Sequence, residues 1–506
     1  MALPEYFRRS AVAAAQVLAG FDEDAIRHRL EGVTVGVTVS PEAMQRQEGE
    51  ALTNLAVRLI ARLYPRIRLE AGGSEIGTLA ELARSINPEI EVTTDDADIA
   101  IAIGADPPKV APIQVYAGSE GWDAHLSADE PQGVGTTPNP IGAGIAACLA
   151  AANIFRHVFL GGEEQVDRDV SVSGLDLEAR ASENNVAVDD AKLTEDAVIV
   201  GVGAIGNAAV WALGRMPLSG RIHLVDPQEI ELSNLQRYVL AARTDDKQPK
   251  VHLARRFLAD KLEAITHQCA WPDFIAKMGH KADRVLIALD SAADRRAVQA
   301  SLPRWIANAW TQPGDLGISV HPWDETGACL ACLYLPQGPL PSDDKLIAAA
   351  LGIPRPDVEA RIRQLLWANA PAPRDLLEEV ATSLRIPLEV LLPYEYRPIR
   401  ELYVEGVCGG AVLPLDRIGQ PAQDVHVPLA HQSALAGVIL AGRLLAAAGG
   451  RTFETAMVTR LDVLRPVPPY LSQKVQKDAR GICICQDPIY RKAYRRKYGK
   501  AGTASA

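Results

Sequence analysis

The sequence lacks several features that mark other classes of protein. Aromatic residues make up only 5% of its 506 residues, so any hydrophobic core has to be mainly aliphatic. The longest uncharged apolar run, near residues 141–154, is shorter than the roughly 18 residues typical of a membrane-spanning helix and is better explained as a buried helix. The first residues also lack the apolar core of a signal peptide. We therefore expect a cytoplasmic protein with no membrane partner.

Positive charge is not in excess either. The 52 Lys and Arg residues are outnumbered by 63 Asp and Glu residues, and the net charge is -11. Because binding to phosphate backbones favours a basic surface, we expect no nucleic-acid partner. One basic run, at residues 491–500, is interpreted as a solvated helix end. The seven cysteines form an odd set, which argues against a disulfide framework and favours thiols, metal ligands or a nucleophile.

Hydrophobic patterns predict an α/β fold with an internal duplication. A continuous β-branched run at 32–40 is typical of a buried parallel strand, but no glycine-rich loop follows it. A second strand pattern, at 197–201, leads into such a loop. Long apolar helices rich in small residues are predicted at 141–159 and 429–447, each late in its half. We therefore expect two doubly wound halves, of which only the second has a nucleotide motif.

The same patterns divide the chain into five segments. A Pro-punctuated helical segment interrupts the second half, and a short tail ends the chain. The predicted segments are 1–165, 166–195, 196–335 with 411–470, 336–410 and 471–506. We expect the first and third to be the α/β halves, the second a connection, the fourth a helical insertion and the fifth a C-terminal tail.

The strongest local motif follows the strand at 197–201. It has the form Gly201-x-Gly203-Ala204-x-Gly206 and opens a predicted helix. Glycines permit a tight turn and let backbone N–H groups approach a phosphate at the helix N-terminus. Asp226 lies 20 residues after Gly206, at the end of the next strand, where a carboxylate can accept a hydrogen bond from a ribose hydroxyl. The motif alone indicates a nucleotide-binding fold and leaves an NAD-dependent oxidoreductase open.

The residues that follow narrow the interpretation. The chain reads LVDPQEIELSNLQRY at 224–238, then has Lys250 at a helix start and a strand that leads to Asp290. In these motifs it resembles the superfamily of ThiF, MoeB and ubiquitin-activating enzymes. The resemblance implies that ATP adenylates the C-terminal glycine of a ubiquitin-like protein. It also implies that the second half is an active adenylation domain and the first an inactive one.

The resemblance also assigns roles to individual residues. It implies that Arg237 and Lys250 hold the triphosphate and that Asn234 assists binding there. It implies further that Asp290 handles Mg²⁺, while Asp226 keeps the ribose role. Positioning and charge stabilisation are the main requirements of such a transfer, and cations beside the triphosphate supply both. A dehydrogenase has no need of an arginine and a lysine directed at a triphosphate.

Two further positions bear on this site. Gln228 stands where many members of the superfamily have a second acidic residue. An arginine from the neighbouring half often completes the site in the superfamily, and Arg8 or Arg9 is the candidate here. A plain surface arginine is the alternative at both positions.

Four cysteines form two pairs. Cys329 and Cys332 have C-x-x-C spacing, while Cys483 and Cys485 have the tighter C-x-C spacing. Two such pairs are typical of a structural Cys₄ zinc site. Members of the superfamily place a C-x-x-C after the adenylation core and a second pair near the C-terminus. We therefore expect Zn²⁺ to staple the tail to the second half, with simple thiols as the alternative.

Cys408 stands apart in the glycine-rich sequence EGVCGG. The resemblance to ubiquitin-activating enzymes implies that it takes the acyl group from the adenylate as a thioester. A ubiquitin-conjugating-like enzyme would then receive the group. A structural cysteine in a glycine turn is the alternative.

The composition and size favour a bacterial member of the superfamily. The implied setting is an antiphage operon that encodes a ubiquitin-like protein, a conjugating enzyme and a deubiquitinase-like peptidase. A sulfur-carrier adenylyltransferase of the MoeB and ThiF type is the main alternative, and an oxidoreductase and a non-catalytic scaffold are further ones. The sequence leaves a homodimer open.

Overall fold

The computed structural model describes most of the chain and separates it into two units. The described residues are 6–18, 23–72, 75–161, 165–177, 186, 188, 191–258, 262–312, 315–323, 327–335, 342–384, 386–403, 427–453, 455–466 and 471–499. The unit that holds the strands, called the sheet unit here, consists of Met1–Pro4, Glu31–Leu335 and Ala430–Ala506. The other, called the helical unit, consists of Glu5–Leu30 and Pro336–Leu429.

The sheet unit contains two sheets with the same strand order. The strands of the first sheet are β1 (Val35–Val39), β2 (Arg66–Glu70), β3 (Glu91–Thr93), β4 (Ile99–Ile103), β5 (Ile113–Glu120), β6 (Asp123–Ser127) and β7 (Val170–Ser173). Those of the second are β8 (Ala197–Val200), β9 (Arg221–Val225), β10 (Glu263–His267), β11 (Arg284–Ile287), β12 (Trp305–Thr311), β13 (Leu316–Pro322), β14 (Met457–Leu461) and β15 (Leu471–Lys474). The order is β3-β2-β1-β4-β5-β6-β7 in one and β10-β9-β8-β11-β12-β13-β14-β15 in the other.

Strand direction also agrees between the sheets. The first five positions are parallel in each, and the remaining strands are antiparallel. The buried central strands are made of β-branched and small residues, as expected of a sheet covered on both faces. The α/β class predicted from the sequence is therefore confirmed.

The helices are numbered along the chain. They are α1 (Phe7–Val17), α2 (Glu23–Glu31), α3 (Pro41–Met44), α4 (Gln47–Ile60), α5 (Glu75–Ile86), α6 (Ile141–Leu160), α7 (Ala204–Leu213), α8 (Lys250–Leu258), α9 (Trp271–Lys277), α10 (Ala292–Ala300), α11 (Asp343–Ala350), α12 (Pro356–Trp367), α13 (Arg374–Leu384), α14 (Ile399–Glu401), α15 (Ala430–Ala448) and α16 (Pro488–Tyr498). In the described part of the helical unit, α1, α2 and α11 to α14 occur without a strand.

Helices α6 and α15 occupy equivalent places in the two sheets. The first connects β6 to β7, and the second connects β13 to β14. They pack against each other, and their small residues permit a close approach. A Cβ added at Gly144 of α6 would lie 2.9 Å from Val438 of α15, and one at Gly437 of α15 would lie 2.2 Å from the Ile205 carbonyl oxygen of α7. Both helices are long and apolar enough to cross a membrane, but 89% of the apolar window in each is buried inside the protein.

One arginine on each of these two helices donates to a carbonyl group just beyond a strand of the other sheet. Arg156 of α6 donates to the carbonyl oxygen of Val463, two residues beyond the end of β14. Arg443 of α15 donates to the carbonyl oxygen of Leu175, two residues beyond the end of β7. Arg156 is also paired with Asp167 at 2.8 Å, and both side chains are fully buried. Each sheet therefore secures the segment that leaves the other sheet.

The structure places some boundaries differently from the sequence analysis. Residues 5–30 group with the helical unit, although we assigned them to the first half. β7 extends the first sheet into the predicted connection, and β15 extends the second sheet past residue 470. Both strands have only four residues, which is too short for hydrophobic alternation to identify them.

Candidate functional site

The motif residues lie where the strand order of the second sheet reverses. The chain runs outward from β8 through β9 to β10 and then returns to β11 on the other side of β8. In open α/β sheets, ligands bind at such a reversal, beyond the carboxyl ends of the strands. The glycine turn follows β8 directly, and Asp290 lies three residues beyond the end of β11. Asp290 is exposed there.

The surroundings of the three glycines in the turn differ in how much room they leave for a side chain. Gly201 has a φ of +88°, and a Cβ added there would lie 2.5 Å from the Ala288 carbonyl oxygen. A Cβ added at Gly206 would lie 2.1 Å from the Gly201 carbonyl oxygen, so these two positions exclude a side chain. At Gly203 the nearest atom to an added Cβ is the Tyr238 hydroxyl, at 3.5 Å. Gly203 and Ala204 are partly exposed at the start of α7, where a phosphate can approach.

Asp226 holds the turn from the end of β9. Its Oδ2 atom accepts a hydrogen bond from the Val202 amide at 2.7 Å, and its Oδ1 atom accepts one from the Gln228 amide at 2.8 Å. The side chain is 5% exposed. Each carboxylate oxygen has a second lone pair, so a ribose hydroxyl can still donate to it. The predicted ribose contact is thus compatible with a structural role in fixing the turn.

Lys250 begins α8 with its ammonium group beside the turn. Its Nζ atom donates to Oε1 of Gln228 at 2.6 Å and lies 5.2 Å from the centre of the Tyr238 ring. Burial lowers the pKa of Lys250, but Tyr238 and Asp226 outweigh that effect, and the net pKa lies above its ordinary value. Because Gln228 is neutral, it orients the ammonium group without cancelling its charge. Lys250 is therefore a buried cation at neutral pH.

Arg237 also lies beside this tyrosine. Its guanidinium carbon is 5.5 Å from the centre of the Tyr238 ring. Burial lowers the pKa of Arg237, while Tyr238, Asp290 and Glu231 partly offset the effect. An arginine keeps its charge at neutral pH after such a shift. The side chains of Lys250 and Arg237 thus both lie near the Tyr238 ring, whose hydroxyl would be 3.5 Å from a Cβ added at Gly203.

Asn234 has a more local role in the structure. It lies in the 3₁₀ turn Leu232–Gln236, and its Oδ1 atom accepts a hydrogen bond from the Glu231 amide at 3.2 Å. Its Nδ2 atom is within 3.4 Å of the Ser233 hydroxyl. The described contacts therefore place Asn234 in the turn that presents Arg237, and a direct nucleotide contact remains a prediction.

The structure thus brings five of the predicted residues to one crevice. Besides the other glycine-turn residues and Asn234, which lie in the turns described above, they are Gly201, Asp226, Arg237, Lys250 and Asp290. The exposed carboxylate of Asp290 is the kind of hard oxygen donor that Mg²⁺ prefers.

The sequence analysis missed Tyr238 and the part played by Gln228. The sequence does offer two hints, since Tyr238 directly follows Arg237 and Gln228 stands two residues after Asp226.

Two predicted residues fall outside this description. Cys408 lies outside the described residues, and so does the side chain of Arg8. Arg9 is buried in α1 of the helical unit. Their proposed roles therefore remain predictions.

The four paired cysteines converge in the sheet unit. The sulfur atoms of Cys329, Cys332, Cys483 and Cys485 all lie within 4.8 Å of one another. Individual Sγ–Sγ distances are 3.3, 3.5 and 3.6 Å. A tetrahedral zinc site with Zn–S bonds of about 2.3 Å has sulfur atoms about 3.8 Å apart. The donor set and its spacing therefore fit Zn²⁺.

Local structure explains how the tight C-x-C pair can take part. Cys329 precedes the 3₁₀ turn Leu330–Leu333, which directs Cys332 back toward it. Cys483 accepts a backbone hydrogen bond from the Gln486 amide at 2.8 Å, so the chain turns between the second pair and α16. The cluster joins segments more than 150 residues apart in sequence.

Two family models match the chain. The ThiF family matches residues 188–391, and Prokaryotic E2 family C matches residues 39–160. The first match contains the glycine turn and both cations of the crevice. The second covers most of the first sheet, where Cys148 stands alone among the cysteines. Cys148 is buried in α6, and burial raises its pKa well above the ordinary value, which disfavours a nucleophilic role.

Known proteins are similar to the chain over different lengths. Uncharacterized protein y4jF of Sinorhizobium fredii is 41% identical over 99% of this chain and 98% of its own length. The sulfur carrier protein ThiS adenylyltransferase of Escherichia coli is 28% identical over 28% of this chain and 59% of its own length.

Among solved structures, E. coli MccB superposes with a TM-score of 0.36 and 12% identity, covering 57% of this chain and 66% of MccB. We draw no inference from a superposition at that level. The high identity to y4jF extends over nearly the whole chain, and the ThiF match coincides with the crevice. The chain therefore belongs to the family of Sinorhizobium fredii y4jF and carries a ThiF family domain at residues 188–391.

Proposed function

We propose that the protein uses ATP to adenylate the C-terminal glycine of a bacterial ubiquitin-like protein in the cytoplasm. The observation that carries this proposal is the pair of buried cations, Arg237 and Lys250, beside the Tyr238 ring, whose hydroxyl approaches the glycine turn. The ThiF match over the same residues supports it. In this proposal the second sheet is the active adenylation domain, and the first is an inactive copy.

The residues of the crevice have complementary tasks in this reaction. Backbone N–H groups at Gly203 and Ala204 approach the phosphates, and the carboxylate of Asp226 receives the ribose. A carboxylate oxygen of the partner's terminal glycine attacks the α-phosphorus, the bond to the β-phosphate oxygen breaks, and pyrophosphate leaves. Arg237 and Lys250 stabilise the charge that moves onto pyrophosphate. When bound at Asp290, Mg²⁺ would neutralise further phosphate charge.

The first sheet supports the proposal because it lacks a glycine turn at the point where its strand order reverses. Ser40 and Pro41 follow β1 in place of a glycine turn. Cys148, inside α6, is poorly suited to accept an acyl group because it is buried and its pKa is raised. We therefore propose that adenylation occurs in the second half and that Cys408 of the helical insertion, not Cys148, accepts the acyl group. The reciprocal contacts of Arg156 and Arg443 support pairing of the two halves within one chain.

The step after adenylation separates two versions of the proposal. In the first, Cys408 attacks the acyl-adenylate, AMP leaves, and the thioester passes to a ubiquitin-conjugating-like enzyme. In the second, the adenylate serves sulfur transfer, and the partial similarity to the E. coli ThiS adenylyltransferase is the reason to keep this alternative. Setting the first version in an antiphage operon is part of the proposal.

A non-reducing gel distinguishes the two versions. The protein is incubated with ATP·Mg²⁺ and a ubiquitin-like protein encoded beside it, and E. coli ThiS serves as the comparison substrate. We expect a thiol-sensitive band that Cys408→Ala removes while ATP–pyrophosphate exchange persists. Exchange without any such band would favour sulfur-carrier activation. Absence of exchange with both substrates would contradict adenylation of this partner class.

The same exchange assay tests the predicted arginine from the N-terminus. Arg8→Ala and Arg9→Ala should each be measured at low ATP concentration. We expect one of them to raise the KM for ATP. Unchanged kinetics in both would remove the proposal that either residue completes the site.

A further inference from the structure

One short segment of the second half presents its carbonyl groups to the first half. Arg62 of the first half uses its Nη2 atom to donate to the carbonyl oxygens of Tyr238 and Ala241, the latter at 2.7 Å. Arg58 donates from Nη1 to the carbonyl oxygen of Val239 at 2.8 Å. Arg62 is 1% exposed. Two buried cations from the first half therefore hold the segment 238–241.

This segment begins with Tyr238, which lies beside both cations of the crevice. Tyr238 follows Arg237 directly, and its ring lies 5.2 Å from the Lys250 ammonium. The segment is also held from the side of the glycine turn, because Asn207 of α7 accepts a hydrogen bond from the Leu240 amide at 2.7 Å. A shift of the 238–241 backbone would therefore displace Tyr238 and Arg237 relative to the turn.

The first half holds its arginines in place by further contacts. Arg58 lies in the last turn of α4, and Arg62 follows two residues after its end and donates from Nη1 to the Arg58 carbonyl oxygen at 3.4 Å. The Nε atom of Arg58 donates to Asn54 at 2.9 Å, and Trp211 of the second half donates to the same oxygen at 3.2 Å. Burial, with the neighbouring charges of Arg62 and Arg215, lowers the pKa of Arg58 to about 9.

We infer that Arg58 and Arg62 of the first half are positioning residues of the nucleotide site in the second half. They act on ATP through the backbone of 238–241 and through Tyr238, without touching the nucleotide. This inference rests on the proposed function and gives the first half a defined contribution to it. Guanidinium groups suit the task because one group can donate to several carbonyl oxygens in a fixed geometry.

The test compares Arg62→Met with Arg443→Met. Both arginines are buried and donate to carbonyl groups of the opposite half, but Arg443 contacts residues 174 and 175, away from the crevice. ATP·Mg²⁺ binding is measured by titration calorimetry, and thermal unfolding is measured in parallel. We expect both variants to lose stability, while only Arg62→Met binds ATP about tenfold more weakly. Arg62→Lys should recover most of the affinity, because an ammonium group can donate to the same two carbonyls.

Arg58→Met provides a second measurement should Arg62→Met fail to fold. It removes one donor and leaves the Arg62 contacts, so we expect ATP binding about threefold weaker. Wild-type ATP affinity in the folded variants, or equal weakening in Arg443→Met, would overturn the inference and leave the proposed function intact. Absence of ATP binding by the unaltered protein would overturn both.

Discussion

The two sheets differ most at the point where their strand order reverses. In the first, Ser40 follows β1 and caps α3 by accepting a hydrogen bond from the Ala43 amide. Gly104 follows β4 with a φ of +97°, and a Cβ added there would lie 2.2 Å from the Ser40 hydroxyl. Side chains therefore occupy the first reversal. In the second, Gly201 follows β8, and Gly203 is partly exposed at the start of α7 near Tyr238.

Polar side chains are also used differently. In the first half, the buried carboxylate of Glu48 accepts hydrogen bonds from Ser119, Gly121 and Thr137, so it serves that half's own loops. In the second half, the buried cations Lys250 and Arg237 lie beside Tyr238, and Lys250 donates a hydrogen bond to the neutral amide of Gln228. Strand order alone therefore does not decide function, which depends on the turn and on the charged side chains beside it.

Removal of a cysteine ligand is expected to have the largest effect. The described residues contain one cysteine cluster, and it lies with the second sheet. Cys483→Ser should release bound zinc and lower the free energy of unfolding by more than about 3 kcal/mol, since the metal ties α16 to the core. Metal content and thermal unfolding would be measured together.

Cys269→Ser provides the matched control, because Cys269 is partly buried and outside the cluster. It should keep the metal. Retention of zinc by Cys483→Ser, or an equal loss in both variants, would contradict the assignment.

Two glycine substitutions, one at the strand-order reversal of each sheet, test whether only the second reversal binds ATP. Gly201→Ala places a Cβ 2.5 Å from the Ala288 carbonyl oxygen and must shift the turn. We expect ATP affinity to fall about 100-fold, because sites of this kind tolerate little displacement. Gly104→Ala introduces similar strain in the first sheet and should leave ATP affinity within about twofold. Calorimetric titration checks both, and loss of ATP binding in Gly104→Ala would show that the first reversal takes part.

The smallest predicted effect concerns pH and the junction of the halves. Burial, with the nearby charge of Arg156, lowers the pKa of His431 from 6.5 to about 3. The folded protein thus favours the neutral imidazole. The contribution of His431 to the free energy of unfolding is therefore complete above pH 6.5 and is lost as the pH falls toward about 3. From pH 6.5 to about 5, stability should fall by about 2 kcal/mol from this residue.

His431→Gln should flatten that part of the pH profile, as measured by urea unfolding at several pH values. His252→Gln alters an exposed histidine of α8 and should leave the profile unchanged. An unchanged slope in His431→Gln would assign the pH dependence elsewhere.

Sequence patterns revealed the parts of the molecule that depend on local chemistry. The glycine turn, the apolar helices α6 and α15, and the paired cysteines all have periodic or motif signals. The hydrogen bond from Arg62 to the Tyr238 carbonyl oxygen has no such signal in the sequence. The two residues are 176 positions apart, and the acceptor is a backbone carbonyl group. Grouping of residues 5–30 with the helical unit likewise depends on tertiary contacts that no local pattern encodes.

The most direct test of the account is the number of ATP sites in the purified protein. Equilibrium titration with ATP·Mg²⁺ should give one site per chain, and Lys250→Ala should abolish it. Two sites per chain would contradict the claim that only the strand-order reversal of the second sheet binds ATP. Binding that persists unchanged in Lys250→Ala, or binding of NAD in place of ATP, would contradict the assignment of the crevice.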